Sequence, residues 1–132
     1  MTLAIAWIAT AIVFGVLDAL WLSQMGPRLY RPALGAIMHD GVRIAPAAAF
    51  YLIYVTGLVA LAVAPALERA SLTHALVMGA IVGLVAYATY NLTNHATLRV
   101  WDIRVTLADM AWGTIASALT AGAATWIAQR FG

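Results

Sequence analysis

The sequence contains no cysteine and no lysine, and it is poor in charge of either sign. The absence of cysteine excludes disulfides, thiolate nucleophiles and cysteine-ligated metals or clusters. Only 9% of the residues are charged, against roughly 25% in an average soluble domain. The seven basic residues are all arginines, and they form no run that could follow a phosphate backbone. We therefore expect no nucleic-acid partner.

Apolar residues are abundant instead, at 64% of the 132 residues. A compact soluble domain of this size could not bury so much apolar surface. Four stretches are nearly free of charge and about long enough to cross a bilayer, for which a helix needs roughly 20 residues; they are 3–25, 46–67, 72–94 and 107–129. The sequence predicts an all-α integral membrane protein, in which residues 1–132 form a single four-transmembrane-helix bundle.

Two features of the first helix and its link refine this prediction. The first stretch has no basic start and is interrupted by Asp18, so we interpret it as a retained helix rather than a signal peptide. Between helices one and two, Pro32 precedes an apolar pattern of helical spacing. This pattern predicts a short interfacial helix over about 31–39.

The distribution of arginine predicts the orientation. One side of the membrane would hold five arginines, and the other side would hold two; the five are Arg28, Arg31, Arg43, Arg99 and Arg104, and the two are Arg69 and Arg130. By the positive-inside rule the five-arginine side is cytoplasmic. We expect both termini on the periplasmic side of a bacterial inner membrane.

Polar residues inside the predicted helices are the candidates for function, because ionisable groups in a membrane are costly. The topology places one set of them in the same leaflet, with Asp109 in the first turn of helix four. The candidate binding residues are Asp18, Trp21, Tyr51, Tyr54, Tyr87, Asn91, Asn94, His95, Asp109 and Trp112. The pattern Asp-x-x-Trp occurs twice, at 18–21 and at 109–112. These residues predict a polar and aromatic pocket.

Each candidate also has a purely structural interpretation. Asp109 could complement the dipole at the start of its helix, and Asp18 could pair with Arg28 or Arg99 of the inner loops. The tyrosine and tryptophan rings could form an interfacial belt. These interpretations explain less well why Asp18, Asn91 and Asn94 all lie deeper than an interface residue needs to be.

Several segments also resemble a known family; they are Asp18-Ala-Leu-Trp-Leu22, Ala45-Pro-Ala-Ala-Ala-Phe-Tyr-Leu-Ile-Tyr54, Tyr87-Ala-Thr-Tyr-Asn-Leu-Thr-Asn-His-Ala-Thr97 and Asp109-Met-Ala-Trp-Gly113. They are similar to the bacterial membrane proteins of domain-of-unknown-function family 2177 (DUF2177), over essentially the whole chain. The resemblance implies a four-helix integral membrane protein. It implies no established activity and assigns no catalytic residue.

Three functions remain open from the sequence. The first is a pocket in the cytoplasmic leaflet that binds a lipid or another amphiphile, where two carboxylates near a histidine could also serve acid–base chemistry. The second is a small proton-coupled transporter that acts as a dimer. The third is an assembly or scaffold subunit, which would contact a second copy or a partner protein through the close-packing face of Gly79 and Gly83. We expect membrane lipids as partners, no metal site and no cofactor.

Overall fold

The computed structural model describes residues 1–132, and the chain is helical almost throughout, with no strand. The helices are α1 (Thr2–Leu34), α2 (Ile44–Arg69), α3 (Leu72–Thr97) and α4 (Ile103–Phe131). Helices α1, α2 and α3 are long and apolar enough to cross a membrane. Each helix contains one of the four predicted stretches. Helix α4 has 29 residues and is as long as the others, but it is less apolar.

Helix α4 is less apolar because it lies in the middle of the structure. It packs most extensively against α3 and next against α1. Its buried residues are mostly small or hydroxylated; they are Val105, Thr106, Asp109, Gly113, Ala116, Ser117, Thr120, Ala121, Ala124, Thr125 and Ala128. Such side chains allow neighbouring helices to approach closely where no water competes for the contact.

Local signals at the helix ends define the turns. Ser71 caps α3, since its hydroxyl accepts a hydrogen bond from the backbone N–H of His74 at 3.1 Å. Asp102 caps α4, since its carboxylate accepts from the backbone N–H of Arg104 at 2.8 Å. Ala70 adopts a left-handed conformation, with φ of 49°, and so ends α2 one residue before the cap of the next helix. The α2–α3 connection is therefore very short.

Helices α1 and α2 each contain one wide π-helical turn, at Gly26–Tyr30 and Val59–Val63. In both cases a proline follows two residues after the turn, at Pro32 and Pro65. A proline has no N–H to donate, and its ring clashes with the carbonyl group four residues before it. In both helices the backbone hydrogen-bonding pattern therefore changes next to a proline, which cannot take part in the regular α-helical pattern.

The link between α1 and α2 contains less helix than the sequence suggests. The segment predicted as an interfacial helix, 31–39, is helical only over Arg31–Leu34. This turn continues α1 through the π-helical turn and is not a separate element. A short turn follows it, with the backbone N–H of Ile37 bonded to the carbonyl of Leu34 at 2.9 Å, and the chain is then irregular until α2 begins.

Helices α3 and α4 meet along the face that carries Gly79 and Gly83. A β-carbon added at Gly79 would lie 2.7 Å from the carbonyl oxygen of Ser117 and 2.8 Å from the β-carbon of Ala121. One added at Gly83 would meet the β-carbon of Ser117 at 2.8 Å. The face that the sequence offers to a partner helix is therefore occupied by α4 of the same chain. The reason is that α4 is itself lined by small residues at this level.

Candidate binding pocket

A cavity of about 750 Å³ lies at the end of the structure that carries the α1–α2 and α3–α4 links. All four helices and the α1–α2 link contribute to it; the lining residues are Asp18, Trp21, Leu22, Gly26, Tyr30, Leu34, Met38, Val42, Phe50, Ala86, Tyr87, Tyr90 and Asp109. Ten of these 13 residues are hydrophobic. Phe50 and Tyr90 are more than half exposed, so the cavity opens onto the outer surface of the helices.

Asp109 is the most constrained polar group of the cavity. Its side chain is buried, with 8% of the residue exposed. One carboxylate oxygen accepts a hydrogen bond from the phenol of Tyr30, and the other accepts from Nδ2 of Asn91 at 2.6 Å. The phenol oxygen of Tyr30 in turn accepts from the indole N–H of Trp21 at 2.8 Å. A chain of hydrogen bonds thus joins α1, α4 and α3.

Helix α4 begins four residues earlier than the sequence predicts, and this changes the interpretation of Asp109. Since α4 starts at Ile103, Asp109 lies in the second turn and not in the first. The positive end of a helix dipole acts mainly within the first turn. The dipole of α4 therefore does not explain why the carboxylate of Asp109 is buried here. Its hydrogen-bond partners are side chains of α1 and α3.

Asn91 connects Asp109 to the backbone of α3. Its Nδ2 atom also donates to the carbonyl oxygen of Tyr87 at 2.9 Å. The side chain is fully buried, and its Oδ1 atom has no hydrogen-bond partner. Buried polar atoms normally have a partner. An unused acceptor therefore lies next to the carboxylate of Asp109.

The two Asp-x-x-Trp patterns meet in space. The rings of Trp21 and Trp112 are stacked, with centroids 4.7 Å apart and planes inclined by 7°. The indole N–H of Trp112 is buried without a hydrogen-bond partner of normal geometry, and the carboxylate of Asp18 lies beside it. Each pattern therefore contributes one carboxylate to the cavity and one ring to the stack that joins α1 to α4.

Neither carboxylate has an arginine partner. The ion pair of the structure joins Arg104 to Asp102 at 2.7 Å, outside the cavity. Asp18 accordingly does not form the ion pair with Arg28 or Arg99 that the sequence allows. No group of three or more histidine, cysteine, aspartate or glutamate residues comes together as a metal site would require.

A second layer of aromatic residues packs behind the cavity. Tyr54 forms a hydrogen bond of 2.5 Å with Oγ of Ser117, and its ring lies 5.1 Å from that of Phe14 and 6.2 Å from that of Tyr87. The phenol of Tyr51 donates to the carbonyl of Ala11. Tyr51 and Tyr54 thus support the cavity from α2 without lining it.

Two candidates from the sequence lie away from the cavity. His95 is exposed, and its Nδ1 atom is 3.2 Å from Oγ1 of Thr106. That hydroxyl also accepts from the indole N–H of Trp101 at 2.8 Å. Asn94 is half-buried, and its side chain makes no hydrogen bond. The structure places Asp18, Trp21, Tyr87 and Asp109 at the cavity surface, and Asn91 and Trp112 directly against them.

Tyr30 is central to the hydrogen-bond chain but is not among the residues predicted from the sequence. Tyr30 ends the π-helical turn of α1. A π turn holds more residues than an α-helical turn, so the spacing of three and four that groups Asp18 with Trp21 does not extend to Tyr30. The available signal was Pro32, two residues further on, which marks a change in helical geometry.

The chain is helical almost throughout, three of its helices are apolar enough to cross a membrane, and a cavity lies at one end. The chain belongs to the family described as predicted membrane protein (DUF2177), whose model matches residues 3–126. No curated protein and no solved structure matches the chain.

Proposed function

We propose that this protein binds a lipid or another amphiphile in the cavity. The observation that carries the proposal is the cavity itself, of about 750 Å³, with ten hydrophobic residues in its lining and two carboxylates. Ligand sites typically have volumes of about 300–1,000 Å³ and apolar walls with a few polar groups that orient the ligand. An amphiphile has the same division into an apolar and a polar part.

The two parts of the ligand would occupy different regions. The hydrocarbon chain rests on the apolar wall near Leu22 and Phe50, where the cavity reaches the outer surface of the helices. The headgroup lies against Asp18 and Asp109, which belong to α1 and α4. Trp21 and Tyr87 separate the two regions, since each ring offers an apolar face and a polar edge.

The proposal includes a placement in the membrane. Helix α4 is the fourth span, and its lower hydropathy reflects the polar groups that it buries against α1 and α3. Both termini then lie on one side, and the cavity lies on the opposite side with five of the seven arginines. In a bacterial inner membrane this side is cytoplasmic by the positive-inside rule.

The packing of α3 against α4 supports this function over the scaffold alternative. A scaffold would need a free close-packing face, whereas α4 covers Gly79 and Gly83. We propose no reaction, because the cavity offers no activated nucleophile beside its carboxylates.

The test compares the ligands that remain bound after gentle purification in a neutral detergent. Native mass spectrometry and lipid extraction would be applied to wild type, Asp18→Asn and Glu68→Gln. Glu68 is exposed at the α2–α3 turn, at the opposite end, so its variant removes the same charge away from the cavity. We expect a defined amphiphile on wild type and on Glu68→Gln, and its loss from Asp18→Asn.

Circular dichroism and the thermal midpoint would establish that Asp18→Asn remains folded. If all three proteins carry the same bulk mixture of membrane lipids in the same proportions, the proposed function is wrong. A scaffold role would then be the better hypothesis, and cross-linking to partner proteins would be the next measurement.

A further inference from the structure

We propose that the cavity selects amphiphiles whose headgroup carries a positively charged nitrogen. This inference rests on the proposed function and deepens it, because it names the chemistry of the headgroup. It follows from three observations: the charges that line the cavity, the hydrogen-bond capacity left over around them, and the aromatic rings on its walls.

The charges of the cavity are of one sign only. Its lining includes Asp18 and Asp109 and no arginine or histidine. All seven arginines of the chain are exposed, and the one ion pair lies outside the cavity. A carboxylate in a region of low dielectric constant is stabilised by an opposite charge held close to it. A cationic headgroup supplies the charge that the chain itself does not place there.

The two carboxylates have different roles in this arrangement. Asp109 already accepts hydrogen bonds from Tyr30 and Asn91. Asp18 has no ion pair, and the indole of Trp112 is the polar side-chain group beside it. Asp18 is therefore the carboxylate that pairs with the ligand, while Asp109 adds negative potential from a fixed position.

The capacity that remains near the carboxylates favours donors over acceptors in the ligand. Oδ1 of Asn91 has no partner, but it is buried behind Asp109 and does not line the cavity, so the oxygens of Asp18 are the acceptors within reach of a ligand. The indole N–H of Trp112 is a donor without a partner, but it lies beside the carboxylate of Asp18, so acceptors outnumber donors around the two carboxylates. A phosphate or sulfate headgroup offers only acceptors and a like charge, so it would be repelled.

The walls suit a cation as well as a hydrocarbon chain. Five aromatic residues line the cavity; they are Trp21, Tyr30, Phe50, Tyr87 and Tyr90. The face of an aromatic ring attracts an ammonium group, and such rings form the usual recognition site for quaternary ammonium. The carboxylates and the aromatic rings therefore favour the same positively charged headgroup.

The test uses three probes with the same hexadecyl chain and different headgroups: a primary ammonium, a neutral hydroxyl and sulfate. Native mass spectrometry would measure the fraction of wild type, in a neutral detergent, that retains each probe from an equimolar mixture. We expect the ammonium probe to exceed the neutral probe by roughly tenfold or more, since tenfold corresponds to about 1.4 kcal/mol. We expect the sulfate probe to be retained least.

Variants assign the preference to Asp18. Asp18→Asn should reduce the preference for ammonium over the neutral probe several-fold, since Asp109 and the aromatic rings remain, whereas Asp18→Glu keeps the charge and should keep the preference. Glu68→Gln serves as the control for loss of one negative charge at the opposite end. The probe series on wild type needs no variant, so the proposal stays testable if Asp18→Asn does not fold.

A second arm distinguishes the two natural sources of a charged nitrogen. Phosphatidylethanolamine and phosphatidylglycerol with identical acyl chains would be offered in the same experiment. Preference for phosphatidylethanolamine, together with preference for the ammonium probe, would identify a membrane lipid as the source. Preference for the ammonium probe alone would identify a free cationic amphiphile. Both results support the selection of a charged nitrogen.

Two other results distinguish a failure of charge selection from a failure of the proposed function. Equal retention of the three hexadecyl probes would overturn charge selection and leave amphiphile binding intact. If folded wild type retains none of the probes and neither lipid, the proposed function itself fails, and the inference fails with it.

Discussion

The two ends of this molecule are packed in opposite ways. At the end with both termini and the α2–α3 turn, which we call the terminal end, the core is almost entirely alanine; its buried residues are Ala6, Ala9, Ala62, Val63, Ala66, Ala75, Ala121, Ala124 and Ala128. At the end with the two longer links, the cavity end, large rings surround a space of about 750 Å³. The same four helices form both.

The difference shows how one set of helices can be closely packed at one end and open at the other. Lipid is as apolar as the helices, so helix association depends on close packing more than on the hydrophobic effect. Alanine lets the helices approach at the terminal end. At the cavity end, the stack of Trp21 on Trp112 and the hydrogen bonds of Asp109 hold the helices in place without filling the space between them. Packing at one end therefore permits a cavity at the other.

The largest expected effect comes from making the same substitution at each end. Ala124 is fully buried at the terminal end, whereas Ala86 lines the cavity. We expect Ala124→Leu to cost roughly 3 kcal/mol of unfolding free energy, because overpacking a closed core costs about 1–3 kcal/mol. Ala86→Leu should cost less than about 1 kcal/mol, since the cavity can accept the added carbons. Unfolding by sodium dodecyl sulfate in mixed micelles would measure both.

Ala86→Leu should also reduce retention of the amphiphile that we propose as the ligand, because the leucine side chain would enter the cavity. Equal losses of stability in the two variants would mean that the ends are packed alike, and the comparison would not hold. A folded Ala86→Leu protein with unchanged ligand content would mean that the amphiphile binds outside the cavity.

The sequence predicts the helices well and the cavity in part. Lack of charge over about 20 residues is a property of each stretch alone, so the location of each helix follows from it, whereas the ends of α1 and α4 do not. Asp18 and Asp109 could be grouped because topology brings the ends of α1 and α4 together. Tyr30 could not be added to this group from the sequence, because the π-helical turn before Pro32 changes the face of α1 on which Tyr30 lies.

Packing partners were harder to predict than helices. The spacing of Gly79 and Gly83 correctly indicates a close approach, but spacing does not tell which helix approaches. The helix that approaches is α4, because its residues Ser117 and Ala121 lie against the two glycines in the folded chain. The same reason explains Asn94: regular spacing places it with Asn91, yet only Asn91 lies opposite Asp109.

This contrast on α3 gives the second prediction, which tests whether polar contacts stabilise the cavity end. Asn91→Leu removes the hydrogen bond to Asp109 and leaves a buried carboxylate with one donor fewer. Loss of such a bond costs about 1–3 kcal/mol. We expect roughly 1–2 kcal/mol, because the variant also removes the unpartnered Oδ1 atom.

Asn94→Leu is the matched control for this prediction. It makes the same change three residues further along α3, at a half-buried side chain without a hydrogen bond. Its effect on the unfolding free energy should stay within about 0.5 kcal/mol, as for substitutions away from such contacts. A larger loss in Asn94→Leu than in Asn91→Leu would show that the hydrogen bond to Asp109 does not stabilise this end.

The smallest expected effect concerns an exposed polar contact at the same end. Hydrogen bonds from the side chain and backbone of Arg104 hold the pKa of Asp102 below its ordinary value. A carboxylate whose pKa is depressed in the folded state stabilises that state at pH values above its pKa in the unfolded chain, which is about 3.9. This contribution is lost as the pH falls through the pKa of the folded state. Because the pair is exposed and screened by solvent, we expect its contribution to be slight.

Asp102→Asn tests this expectation, since asparagine keeps the cap of α4 and removes the charge. The difference in unfolding midpoint between wild type and variant should be small at pH 7, in favour of wild type, and should begin to shrink as the pH falls below the ordinary pKa of about 3.9. A large difference at pH 7, comparable with that of Asn91→Leu, would mean that exposed and buried polar contacts contribute alike. Stability at the cavity end would then depend on charge and not on burial.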